Sequence, residues 1–124
     1  MSAANCSGLQ IVADRLRQTE FEIGIGEADC DDVTLAANDN VRVKIGRTGD
    51  TPILDIQSAA PTAGGSSCTV ANPTVLTLSA ADMIFPAGIY DIEVAIVDVS
   101  QGSAIKKAER GILVVRDSMG GAVT

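Results

Sequence analysis

The stretch Ile89-Tyr-Asp-Ile-Glu-Val-Ala-Ile-Val-Asp98 is apolar at both parities: Tyr90, Ile92, Val94 and Ile96 at one, Ile89, Ala95 and Val97 at the other. Side chains two apart in an extended chain share a face, so this pattern predicts a strand in the middle of a sheet. Ser100-Gln-Gly102 supplies the turn, and Ala104 to Arg116, ending in the β-prone Ile112-Leu-Val-Val115, supplies a hairpin partner.

Working outward, Thr19 to Ile25 sets Phe21, Ile23 and Ile25 against Glu20 and Glu22, and Val41 to Gly46 sets Val41, Val43 and Ile45 against Arg42 and Lys44. Both have the period of two of a half-buried strand. Shorter strands are predicted at Leu9–Val12, Pro52–Ile56 and within Val70–Leu78, with a brief extended segment at Val33–Leu35. Asp14–Gln18 reads as a turn or a strand continuation, Asn38–Asn40 as a turn, and Gln57–Ser67 as a flexible small-residue loop. Ala80–Ile84 reads as one helical turn capped by Ser79, followed by a turn at Pro86–Gly88.

The expected fold is all-β: a two-sheet Ig-like or jelly-roll-like β-sandwich of about seven or eight strands. The 124 residues suffice for a single domain over 1–124, with a sandwich core at 9–116 and short terminal arms at 1–8 and 117–124. With only three aromatic residues (Phe21, Phe85 and Tyr90), the core must be built from Val, Ile and Leu.

Sixteen acidic against nine basic residues give a net charge of −7, which argues against a phosphate-binding face and hence against a nucleic-acid partner. The same charge suggests, on its own, an acidic mimic of nucleic acid. The chain has no His, which removes His-based triads, His general bases and His-containing zinc sites. No signal-peptide pattern opens the chain, and the longest uncharged stretch, Ile56 to Ala81, is broken by Pro and Gly, so no membrane span is expected.

Cys6, Cys30 and Cys68 are too widely spaced for a C-x-x-C pair and read as idle or buried thiols, with a Cys30–Cys68 bridge left open. Glu27, Asp29, Asp31 and Asp32 form an acidic loop that fails as an EF-hand, because Thr34 and Asn40 stand where that loop needs Gly and Glu. Ser103-Ala-Ile-Lys106 matches S-x-x-K, but positions three apart in a strand point to opposite faces. Gly24-Ile-Gly26 lacks the third glycine and the helix of a dinucleotide loop. Lys106, Lys107, Arg110 and Arg116 concentrate positive charge near the last strand, as an edge guard or as one side of a charged interface. No catalytic residue, metal ligand or cofactor site is expected. The arms are small-residue segments without a core of their own, and a neighbouring subunit is the simplest thing to order them. The candidate partner-interface residues are therefore Ser2, Ala3, Ala4 and Asn5 at one end and Met119, Gly120, Gly121 and Val123 at the other.

Val75-Leu-Thr-Leu-Ser-Ala-Ala-Asp82, Phe85-Pro-Ala-Gly-Ile-Tyr-Asp-Ile-Glu-Val94 and Arg110-Gly-Ile-Leu-Val-Val-Arg116 together resemble a pattern of small β-sandwich virion proteins of tailed phages. Its elements are an "aaD" turn, a "PAGxY" turn and a closing "rGxlxV" strand, and it is similar to the N-terminal domain of phage baseplate upper proteins. The resemblance covers about residues 9–116, more loosely in the first half. It implies a non-enzymatic virion part. The short sandwich suits a capsid cement, or decoration, protein on the capsid exterior, made in the host bacterial cytoplasm. Such a protein binds the major capsid protein and acts as a homo-oligomer, with a trimer favoured. A tail, neck or baseplate component is the alternative.

Overall fold

The computed structural model describes residues 9–24, 35–47, 49–71, 73–102 and 104–117. Eight strands run through them: β1 (Leu9–Asp14), β2 (Thr19–Ile23), β3 (Asp39–Gly46), β4 (Leu54–Gln57), β5 (Ser67–Cys68), β6 (Thr74–Leu78), β7 (Gly88–Asp98) and β8 (Ala104–Arg116). They form a five-stranded sheet in the order β1-β8-β7-β3-β4 and a three-stranded sheet in the order β2-β6-β5. The two pack face to face as a β-sandwich, as expected. Grouping the second, fifth and sixth strands against the third, seventh and eighth is the Greek-key arrangement of immunoglobulin-type sandwiches rather than of a jelly roll.

β7 lies in the middle of the large sheet, antiparallel to β3 and to β8, where its two-sided apolar pattern placed it. Its inner parity, Tyr90, Ile92, Val94 and Ile96, meets Val41, Val43 and Ile45 of β3, Ile56 of β4, and Leu76 and Leu78 of β6 in one cluster. The largest fully buried side chains include Ile45, Ile56, Leu76, Leu78, Met83, Ile92, Ile96 and Leu113. Each contributes about 2 kcal/mol through apolar area removed from water.

Three sequence expectations need correction. Asp39 and Asn40 belong to β3 rather than to a turn, because the Asp39 carboxylate accepts the Ala36 N–H at 2.7 Å and so closes the turn one step earlier. The 57–67 segment is tied down rather than a free excursion, since Thr62, Ser66 and the short β5 are bonded into the neighbouring structure. A two-residue strand such as β5 is too short to show a period. Finally, β8 is not an edge strand over Gly111–Arg116, because β1 pairs with that half in parallel. Smaller shifts put β4 at Leu54–Gln57, and Ala80–Asp82 form a hydrogen-bonded turn rather than a helix. Ile25 and residues 33–34, expected in strands, lie outside the described residues.

Candidate functional site

The turn ahead of β7 is built around Tyr90. Gly88 takes φ +154°, a conformation that residues with a Cβ rarely adopt. The chain then doubles back, and the Tyr90 hydroxyl donates to the Pro86 carbonyl at 2.5 Å. Phe85 packs edge-on to the Tyr90 ring at 4.9 Å between centroids, and the Arg47 guanidinium lies 5.1 Å from that ring's centre. This is the tyrosine corner of immunoglobulin-type sandwiches. Two residues on, where antibody domains carry an inter-sheet cysteine, stands the buried Ile92.

The neighbouring turn is held by a compact polar cluster. Thr62 Oγ1 donates to Asp82 Oδ2 at 2.5 Å, the Ser66 N–H reaches both Thr62 Oγ1 and Asp82, and the Ser66 and Ser79 hydroxyls are 3.3 Å apart. Ser79 Oγ accepts the Asp82 N–H, as its capping role predicts. Burial pushes the Asp82 carboxyl up, but hydrogen bonding by Ser66, Thr62 and Ser79 outweighs it and leaves its pKa below the ordinary value. Ser66 is fully buried, and the cluster latches the loop to the turn.

The basic residues of β8 are engaged within the chain. Lys106 Nζ lies 2.9 Å from the buried Asp39 carboxylate, Arg110 bonds Glu93 and Arg116 bonds Asp14. The Ala36 N–H and Lys106 together hold the Asp39 carboxyl below its ordinary range. Lys106 is thus a structural partner, while Ser103, the other half of the S-x-x-K match, lies outside the described residues. Cys68 is a free thiol inside the core, where burial raises its pKa to about 11 and leaves it protonated and inert at neutral pH. Cys6, Cys30 and the Glu27–Asp32 loop lie outside the described residues. Among the described residues no group of three or more Cys, Asp or Glu is placed to hold a metal ion. No helix among them is long and apolar enough to cross a membrane.

The expected interface residues Ser2, Ala3, Ala4, Asn5, Met119, Gly120, Gly121 and Val123 also lie outside the described residues, but the points where the arms attach are clear. Leu9 opens β1 beside Gly111, at the flank of the large sheet. Asp117 sits at one end of the sandwich, where Arg15 bonds it at 3.1 Å and also donates to the carbonyls of Phe85 and Ile84. Around that end stand three outward apolar side chains: Leu16 (48% exposed), Ile84 (63%) and Ile89 (64%). Leu16 is held at φ +62°, a left-handed conformation that is costly for a side chain of its size. Periodicity does not announce Leu16 and Ile84, each a lone apolar residue between strands, and it places Ile89 within β7 without showing that this end of the strand is uncovered.

No protein-family model matches this chain, and neither does any curated protein.

Proposed function

We propose that the protein is a non-enzymatic structural component of a tailed-phage virion, a cement or decoration protein that binds the outside of the head and bridges major capsid subunits. Its carrying observation is the apolar rim of Leu16, Ile84 and Ile89 at the end of the sandwich from which the 118–124 arm departs. Exposed branched side chains around the end of the sandwich where Asp117 sits make a surface suited to another protein. The motifs of the resemblance support the same reading. Asp82 latches a loop, Tyr90 closes a corner, and Gly111 admits the neighbouring strand, so these residues maintain a fold rather than perform chemistry.

The mechanism is added contact area at capsomer junctions. A standard interface buries about 1,200–2,000 Å² in total, and a protein that binds only the assembled shell stabilises that shell by mass action. The resemblance implies self-association as well, with three copies as its usual form. The test is binding to phage heads lacking the protein, comparing the full chain with residues 9–117. Binding at high copy by the full chain, with loss on trimming, supports the reading. Failure of the full chain to bind any head removes it in favour of a tail, neck or baseplate position, which the copy number in purified virions would confirm.

A further inference from the structure

The outer face of the large sheet, turned away from the core, carries an ordered charge row. Asp55 on β4, Lys44 on β3, Glu93 on β7 and Arg110 on β8 are successive cross-strand partners, so their charges alternate minus, plus, minus, plus across four strands. The next row runs Gln57, Arg42, Ala95, Ala108: two long side chains, then two small ones. Ala95 floors a hollow that is also lined by Arg42, Lys44, Glu93, Val97 and Ile105.

We propose that this face packs against the same face of a second copy, related by a two-fold axis running along the strands between β3 and β7. That axis exchanges the first strand of each row with the fourth and the second with the third. Lys44 then lies opposite the partner's Glu93, and Asp55 opposite its Arg110. In the neighbouring row the Arg42 stem, its guanidinium held on its own Asp55, lies over the partner's Ala95, and Gln57 faces Ala108. One operator makes both charge and size complementary, as an isologous contact requires. An in-plane axis across the strands would instead set each charge against its own kind.

The rest of the surface argues for the same choice. The chain carries −7, yet this face balances Arg42, Lys44 and Arg110 against Asp55, Asp91 and Glu93. The outer face of the small sheet presents Glu20 and Glu22, which would repel a second copy. Four overlapping strands at about 4.8 Å and a strand of eight residues at about 3.4 Å give roughly 520 Å² in projection, about two thirds of the ~800 Å² per partner of a stable pair. The two-fold departs from the three-fold association implied by the resemblance, and it does not depend on the capsid reading.

The experiment is light scattering on the full chain and on K44E, E93K and an equimolar mixture of the two. The unmodified chain is expected at twice the chain mass, and each variant alone at the chain mass, since each sets like charges against like. The mixture is expected to return to twice the chain mass, because copies carrying two acids then face copies carrying two bases. That rescue also shows that both variants are folded. E20K, on the other sheet, is expected to leave the pair intact. A chain-mass value for the unmodified protein overturns the proposal, whether water or its own 118–124 segment covers the face. So does a trimer that both variants leave unchanged, or a mixture that fails to restore the pair.

Discussion

Tyr90 shows how a single side chain fixes a connection. Its ring fills the core edge beside Phe85 while its hydroxyl satisfies the Pro86 carbonyl four residues back. Replacing it with Phe keeps the ring and orphans the carbonyl, so Tyr90→Phe should cost about 1–2 kcal/mol in denaturant unfolding, with an unchanged slope. Leu16 runs the other way. Its backbone sits in the left-handed region, where Asn is tolerated far better, so Leu16→Asn should stabilise the domain by up to about 1 kcal/mol in thermal unfolding. The same change removes an apolar side chain from the rim around Asp117, and attachment to heads should weaken even as stability rises. Opposite signs in the two assays would mark Leu16 as kept for binding, whereas equal signs would count against the rim.

At the scale of elements, β1 is the least obvious strand. It lies parallel to β8, its start pressed so close to Gly111 that a Cβ there would collide with the Leu9 carbonyl and fall 2.6 Å from the Leu9 Cβ. Backbone cannot yield as a side chain can. Gly111→Ala should therefore destabilise the domain by about 3 kcal/mol and raise amide exchange over Leu9–Asp14 before the rest of the sheet. The polar latch between the 58–66 loop and the 79–82 turn makes a different demand. Asp82→Ala leaves the Thr62 hydroxyl without its acceptor and the Ser66 N–H with Thr62 Oγ1 alone, at a cost of about 1–3 kcal/mol in chemical unfolding. Gly64 packs against the same carboxylate, which is why this loop carries a glycine there.

For the whole molecule, the titrating groups bound a window of stability. Asp39, Asp55 and Asp82 all have carboxyls held below the ordinary 3.8, the second by the Arg42 guanidinium. Their contribution is complete above that value and is lost as pH falls through the lower folded-state pKa values. Cys68 acts at the other edge. Its thiol titrates near 11 in the fold against an ordinary 9.0, so stability should decline between those values by about 2 kcal/mol as the unfolded chain ionises first. Thermal midpoints measured from pH 3 to 11 should thus form a plateau with two shoulders, and Cys68→Ala should flatten the alkaline one. The class and the inner faces are legible in the residue pattern alone: a strict period of two at Phe21–Ile23 and Val41–Ile45, and apolar residues at both parities of Ile89–Asp98, can be satisfied only by strands facing a core. Periodicity is a local property, however, and carries no information about which strand lies beside which. It takes the folded sandwich to join β1 to β8 in parallel, to bury Asp39 against Lys106, and to line up Asp55, Lys44, Glu93 and Arg110 in one row. Each of these juxtaposes residues far apart in the chain, where pairing is set by packing the whole sandwich at once rather than by any neighbouring stretch of sequence.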